Sequence, residues 1–193
     1  FTSEDHTLFM PLWAGVPDDQ RAQTMIGRAL LDASRFHRPY GIPACPLLTQ
    51  PEAESVSQSV HLLWNLFICE GLLRYGFRSD AARIVAHVMT AIVQNLKQQR
   101  SFFARYHAEK GIGIGERNAL TGLAPVGLFL QILGVKIISS TCIKLEGENP
   151  FPWDVKIHYR GLKIMRGMNK TEVIFANGKL VVVTDTEPKT ISL

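Results

Sequence analysis

The segment HLLWNLFICEGLLRYGFRSDAARIVAHVMTAIVQNL, residues 61–96, contains two amphipathic stretches on either side of Gly76. Apolar residues recur at spacings of three and four, which predicts one helix from Glu52 to Tyr75 and another over residues 80–98, capped by Ser79. Gly76 is a typical residue at a helix C-terminus. Because only about three residues separate the two helices, the sequence predicts an antiparallel αα-hairpin.

Two further helices are predicted on either side of this hairpin. Residues 17–30 begin with Pro17, Asp18 and Asp19, which favour a first helical turn, and continue with apolar residues at helical spacing. The apolar segment from Thr121 to Leu133 ends at Gly134 and predicts a fourth helix. Residues 38–52 hold four prolines and a glycine and predict a loop.

From Lys136 onward, apolar residues alternate with polar ones, which predicts strands. Asn177-Gly178 is a strong hairpin signal. The predicted fold is therefore mainly α with a β appendage: two antiparallel αα-hairpins followed by a small antiparallel β region. The predicted domains are a helical-hairpin region over residues 1–140 and the β appendage over residues 141–193.

Composition excludes several classes of protein. The chain has 193 residues, 46% of them hydrophobic, and a formal charge of +4 without a long basic run. This gives little reason to expect nucleic-acid binding. No apolar run approaches the roughly 20 residues of a membrane span, and the first residues show no signal-peptide pattern. We therefore expect no nucleic-acid or membrane partner.

The cysteines and histidines do not form a metal-binding pattern. Cys45, Cys69 and Cys142 are far apart and form no CxxC, which argues against a zinc site or a disulfide framework. The histidines form no HxxxH or similar pair, so we predict no transition-metal site and no cofactor. Unpaired cysteines without a signal peptide favour a cytoplasmic location.

Three alternating glycines, Gly111, Gly113 and Gly115, stand within SFFARYHAEKGIGIGERNALTG, residues 101–122. They do not follow a predicted strand and lack the GK[ST] ending of a phosphate loop, which argues against a nucleotide site. We interpret residues 101–122 as the loop between the third and fourth helices. The glycines serve either a sharp turn or a close approach of the backbone to a ligand, with Glu116 and Arg117 facing that ligand.

Four motifs, in order, resemble a family of enzymes: PLWAG (11–15), RFHRPYGIP (35–43), NLFICEGLLRYGF (65–77) and FFARYHAEKGIGIG (102–115). Residues 8–135 are similar to part of the (α/α)6-toroid, or six-hairpin, glycosidases, in particular to enzymes like mannosylglycerate hydrolase and glycoside hydrolase family 63. The residues after 141 resemble the C-terminal β appendage of such enzymes. The resemblance implies an arc of a toroid and a glycoside substrate.

The resemblance also implies an inverting mechanism with two carboxyl groups about 6.5–9.5 Å apart. The general acid lies on an earlier hairpin, and the base is the glutamate of an aromatic-x-Glu-x-Tyr loop. In this chain Ala104 stands at the base position, and the usual tryptophan-arginine-glycine signature is replaced by SVSQSVHLLWN, residues 55–65. Since alanine accepts no proton, either the base has moved or the chemistry is different or lost.

Glu116 is our candidate for the displaced base, with a surface ion pair to Arg117 or a first-turn carboxylate as the alternative interpretations. Glu109 is a weaker candidate. Side chains with aromatic rings, amides and charges near the same loops are candidates for substrate binding; as alternatives, the aromatic ones pack in the core and His61 is a satisfied buried histidine. The candidate binding residues are Trp13, Tyr40, His61, Trp64, Asn65, Tyr106 and Arg117.

Three functions follow from these observations. The first is the C-terminal portion of a glycoside hydrolase that inverts an α-glucoside or α-mannoside linkage and is inactive as an isolated piece. Its partners would be an oligosaccharide or glycoside substrate and the missing N-terminal hairpins, from the same protein or a separate chain. The second is a non-catalytic carbohydrate-binding or structural remnant, which Ala104 favours. The third is an independent helical α+β domain without a link to sugars.

Overall fold

The computed structural model describes residues 4–46 and 56–193. Five α-helices and three antiparallel sheets of three or four strands lie in these residues, with 37% of the chain helical and 25% in strands. The chain divides into two compact units, Phe1–Pro125 and Val126–Leu193. The predicted domain boundary, after residue 140, falls inside the second unit.

The first unit begins with short helices. A 3-10 turn, His6–Phe9, leads into α1, Met10–Ala14, and α2, Asp19–Met25, continues into a π-helical turn, Ile26–Leu30. The Asp18 side chain accepts a hydrogen bond from the Arg21 backbone and caps α2. The helix predicted over residues 17–30 is therefore confirmed.

Helices α3, Leu62–Arg74, and α4, Arg78–Gln99, pack against each other across a link of three residues. The buried side chains of α4 recur along one stripe, as the sequence pattern predicts. Helix α3 begins later than expected because the backbone of Ser59–Val60 is a strand, β1. The first residues of the predicted helix, 52–55, lie outside the described residues.

The stretch predicted as a loop between helices is instead a β-hairpin. Strand β2, Phe103–His107, pairs with both β1 and β3, Gly113–Arg117, in the order β1-β2-β3. A 3-10 turn, Leu120–Gly122, follows. A hydrophobic cluster contributed by β1, β2, the turn after β2, α3 and α4 comprises Val60, Leu62, Val88, Ala91, Ile92, Phe103, Tyr106 and Ala108.

The predicted fold class, mainly α with two αα-hairpins and a small β region, is wrong. The second hairpin does not form, because the β2–β3 hairpin stands between α4 and the next α-helix. That helix, α5, is only Val126–Leu133, since the segment predicted to start at Thr121 contains Pro125, which lacks a backbone donor and disfavours helix for the residue before it.

The second unit consists of α5 and two antiparallel sheets. Strands β4, Val135–Ser139, β5, Cys142–Leu145, and β10, Lys189–Ser192, form one sheet in the order β10-β5-β4. Strands β6 to β9 form the other in sequence order, and their bounds are Val155–Tyr159, Leu162–Arg166, Thr171–Ile174 and Leu180–Val183. The strands predicted by alternation after Lys136 are confirmed.

Among residues 4–46 and 56–193, none of the helices combines the length and the hydrophobicity that crossing a membrane requires.

Candidate functional site

A β-bulge brings Glu116 next to Ala104, the position at which the resemblance places a catalytic glutamate. Phe103 pairs with Arg117 and Arg105 pairs with Ile114, so Gly115 and Glu116 together oppose Ala104. Gly115 has a φ of 82°, which is the left-handed conformation of the first residue in a G1 bulge. Both bulged residues therefore lie beside Ala104, and Glu116 is solvent-exposed there.

The glycines permit this hairpin to lie close to the helices. A Cβ atom at Gly113 would stand 2.0 Å from Cδ2 of Phe103, so only glycine fits beneath that ring. The buried Asn95 of α4 fixes the same segment, because its Oδ1 accepts from the Gly113 backbone at 2.9 Å and its Nδ2 donates to the Gly111 carbonyl at 2.7 Å. Thus the glycine run is a strand and turn anchored to α4, which presents Glu116 at a defined position.

Next to the bulge lies Arg105, which is half-buried. Its Nη2 and Nε atoms would be 3.6 and 3.9 Å from a Cβ atom on Gly115, so the guanidinium lies over the bulge. Arg105 also lies close enough to His61 to affect the charge of that imidazole. The arginine therefore connects the bulge with the start of α3.

His61 and Trp64 border a second part of this surface together with His6. The His6 ring stacks on Trp64 at a centroid distance of 4.8 Å and meets the His61 ring edge-on at 5.8 Å. The Ser59 hydroxyl lies 3.2 Å from His61 Nε2. Burial lowers the pKa of His6, and burial followed by the charges of His6 and Arg105 lowers the pKa of His61. Both rings are therefore held in their neutral forms more than free histidine is.

The aromatic surface continues along α3 to Trp13. Trp64 lies 6.1 Å from Phe67, and Phe67 lies 4.8 Å from Trp13, measured between ring centroids. Trp13 is 43% exposed, and its Nε1 donates to Glu70 Oε2 at 2.8 Å. The sequence spacing suggests pairing of Glu70 with Arg74 instead. Glu70 thus fixes the orientation of an exposed indole, an arrangement suited to stacking on a sugar ring.

Two of the candidate binding residues, Asn65 and Tyr106, are buried, whereas Tyr40 is half-buried and Arg117 is exposed directly after Glu116. Asn65 is buried and bonds to the backbone of Ile42, and Tyr106 is buried with its hydroxyl accepting from the Phe103 backbone at 3.0 Å. Tyr40 packs on the hydrophobic cluster, and Arg117 donates to Gln99 with its guanidinium 5.7 Å from the Phe103 ring. Asn65 and Tyr106 therefore serve the fold, whereas Trp13, Tyr40, His61, Trp64, Glu116 and Arg117 are partly or fully accessible.

Two contributors to this surface, Phe67 and Arg105, are not among the sequence candidates, and neither is His6, which is buried against Trp64. Phe67 follows Trp64 at helical spacing, which indicates that the two rings share one face of the helix, but the same spacing is equally typical of core residues. Arg105 follows Ala104 directly, so the strand that carries the candidate base position also carries this cation. In the described part of the chain, no three His, Cys, Asp or Glu side chains are grouped so that they could hold a metal ion.

No protein-family model matches the chain, and no curated protein matches it in sequence. Solved structures do match. The neutral trehalase of Saccharomyces cerevisiae is 19% identical with a TM-score of 0.54 over 69% of this chain. The family 63 mannosylglycerate hydrolase of Thermus thermophilus, in complex with glucose, is 25% identical with a TM-score of 0.54 over 67% of this chain. A sialidase is 11% identical with a TM-score of 0.58 over 97%.

These likenesses show that the chain shares its fold with part of several glycoside hydrolases. The chain covers 24% of the trehalase, 32% of the mannosylglycerate hydrolase and 19% of the sialidase. The six-hairpin glycosidase resemblance of the motifs is thus supported at the level of the fold, over about two thirds of this chain.

Proposed function

We propose that this chain is the C-terminal portion of an inverting glycoside hydrolase of the family 63 kind, acting on an α-glucoside or α-mannoside. The bulge that brings Glu116 beside Ala104 carries this proposal. A general base needs reach to the attacking water before it needs a tuned pKa. Glu116 is exposed and lies next to Ala104, the position at which the enzymes that this chain resembles have their glutamate.

In this proposal Glu116 removes a proton from a water molecule, which attacks the anomeric carbon opposite the leaving group. The general acid comes from the preceding hairpins, and the isolated chain is therefore inactive. Trp64 and Trp13 provide aromatic surfaces against which a pyranose ring stacks, and His61 provides a hydrogen-bonding group whose pKa is lowered towards the neutral form. A glycoside or oligosaccharide is the proposed substrate, and the N-terminal hairpins are the proposed partner.

The test measures turnover of α-glucosides and α-mannosides by the complete protein. Because general bases contribute about 10²–10⁴-fold to rate, Glu116→Gln should lower kcat by that factor, whereas Glu148→Gln, an exposed glutamate of the second unit, should not. Adding Ala104→Glu to Glu116→Gln moves the carboxylate across the bulge and should restore part of the activity. Unchanged turnover in Glu116→Gln contradicts the assignment.

A second candidate is a non-catalytic carbohydrate-binding protein. Ala104 favours it, because the residue at the usual base position cannot accept a proton. In that case the complete protein binds saccharides through the Trp13 and Trp64 surface without hydrolysing any of them. Quenching of tryptophan fluorescence by sugars, together with no turnover of the whole panel, would favour this function over the enzyme.

A further inference from the structure

The second unit has a cavity that is lined only by residues of that unit. It has a volume of about 580 Å³ and lies between one face of α5 and the strands β4 and β5. Leu130, Val135, Ile137 and Leu145 form its apolar wall. Gly127 of α5 also lines it, and a Cβ atom there would meet no neighbouring atom within 4 Å, so the space beside the helix is open. A cavity of this size can hold a small organic ligand.

Two lysines line this cavity side by side. Lys136 of β4 and Lys144 of β5 are directly opposite each other in the strand register, so their exposed side chains leave the same face of the sheet. Neither lysine belongs to the ion pairs formed among the described residues. Like charges directly opposite each other destabilise an antiparallel pair. With Glu146 also in the lining, the two lysines leave the cavity positively charged overall, and an anion bound between them would remove their repulsion.

The edge of the sheet supplies further hydrogen-bond donors. Strand β4 is an edge strand, and the Glu146 backbone N–H donates to the Gly134 carbonyl at 2.9 Å. Because bonded and non-bonded residue pairs alternate along an antiparallel ladder, the backbone groups of Val135 and Ile137 point away from β5, towards the open edge. Both residues line the cavity. The cavity therefore combines two ammonium groups with backbone N–H groups, which are the donors that proteins use for anions.

We propose that this cavity binds a phosphate monoester whose organic part is apolar. A phosphate monoester carries about 1.5–2 negative charges at pH 7 and presents three strong acceptor oxygens. The Lys136 and Lys144 ammonium groups balance this charge, and the N–H groups at the edge of β4 provide further donors. The apolar wall accommodates the organic part of the ester. All of these residues belong to the second unit, so the inference does not depend on the proposed glycosidase activity.

Calorimetry with the complete protein at low ionic strength tests the charge and the apolar part separately. Phenyl phosphate should bind about tenfold more tightly than phenyl sulfate, which has the same ring and a single negative charge; this ratio corresponds to about 1.4 kcal/mol. It should also bind more tightly than inorganic phosphate, because only the ester has a ring to place against the apolar wall. Vesicles that contain phosphatidate, compared with vesicles of phosphatidylcholine alone, show whether the monoester is a lipid headgroup or a soluble compound.

Variants connect the binding to the two lysines. Lys136→Gln and Lys144→Gln should each weaken phosphate binding by about tenfold, whereas Lys156→Gln, an exposed lysine of β6 outside the cavity lining, should not. Without ligand, the first two variants should be at least as stable as the wild type at low ionic strength, because the repulsion is relieved. The inference is overturned if the wild type prefers neither phenyl phosphate over phenyl sulfate nor phosphatidate vesicles over neutral ones, or if the preference survives replacement of both lysines by glutamine.

Discussion

The Asn65 side chain of α3 forms hydrogen bonds with both backbone groups of Ile42. Its Oδ1 accepts from the Ile42 N–H at 2.8 Å and its Nδ2 donates to the Ile42 carbonyl at 2.9 Å. The same Nδ2 donates to the His61 carbonyl at 3.0 Å. One buried amide thus fixes the loop before β1 to the first turn of α3, which carries His61 and Trp64 at the candidate site.

Asn65→Ala should therefore destabilise the fold. It leaves the Ile42 backbone groups buried without partners, and each such group costs about 1–3 kcal/mol. Urea denaturation should show a lower midpoint with little change in slope. Gln98→Ala, which removes an exposed amide from α4, is the matched control and should stay near the wild type. Equal stability of both variants would show that the Ile42 contacts contribute little.

Two glycines of contrasting surroundings test the close packing of the hairpin. Gly113→Ala places a Cβ atom 2.0 Å from the Phe103 ring, and overpacking of this kind costs about 1–3 kcal/mol. Gly127→Ala in α5 has no atom within 4 Å of its new Cβ and lies in a helix, so it should be neutral or stabilising by up to about 1 kcal/mol. Thermal unfolding should show a Tm below that of the wild type for Gly113→Ala and a Tm at or above it for Gly127→Ala.

Sequence patterns predicted helices α2, α3 and α4 and the strands of the second unit, because in each of them the buried positions repeat with the period of the element. The β2–β3 hairpin was missed for a physical reason. Its second strand, GIGER, has three solvent-exposed residues and two glycines, so no alternation marks it as a strand. What forms the strand is the Asn95 anchor and the pairing with β2, which are tertiary contacts.

The candidate site was predicted in part for similar reasons. Aromatic residues and Glu116 can be identified by chemistry and motif order, but the local sequence of Asn65 or Tyr106 does not show whether the side chain faces a ligand or a backbone group. The Ala104–Glu116 relationship depends on a bulge of one residue, which only the strand register reveals. Whether Glu116 and the accessible aromatic side chains of α1 and α3 act on a sugar stays a prediction.

Acidic pH should destabilise the protein through a pair of histidines away from the candidate site. The His37 and His87 rings are 5.6 Å apart, and His37 Nε2 and His87 Nδ1 are buried without a hydrogen-bond partner among the described residues. Burial and the Arg83 charge lower the pKa of His37. Burial also lowers the pKa of His87, although its hydrogen bond to the Arg38 backbone acts in the opposite direction. Asp80, which pairs with Arg83, acts on His37 in the opposite direction.

Because the folded-state pKa values lie below the ordinary 6.5, the unfolded chain binds protons first as pH falls. The free energy of unfolding is therefore highest above about pH 6.5 and falls below it, by at most about 1.4 kcal/mol per pH unit for each histidine. Urea titrations between pH 7.5 and 5 measure this. His87→Gln should flatten the dependence of the free energy of unfolding on pH. His158→Gln changes an exposed imidazole of strand β6 and should leave that pH dependence unchanged. A wild type equally stable across this range contradicts the mechanism.

In the second unit, Arg166 is a buried cation that joins three elements. Its Nε donates to the Leu133 carbonyl at 2.9 Å, its Nη1 to Thr171 Oγ1 at 2.8 Å, and its Nη2 to the carbonyls of Glu146 and Gly147. The guanidinium thereby connects the end of α5, the loop after β5 and the start of β8 to strand β7.

Arg166→Met keeps much of the side-chain volume but leaves these acceptors without their donor. Each buried acceptor that loses its hydrogen-bond partner costs about 1–3 kcal/mol, so amides of β7 and β8 should lose protection in hydrogen exchange. Lys163→Met removes an exposed cation from the same strand and should leave that protection unchanged. Matching exchange rates in the two variants would mean that the apolar packing of Leu162, Ile164 and Val173 alone holds the sheet to its neighbours.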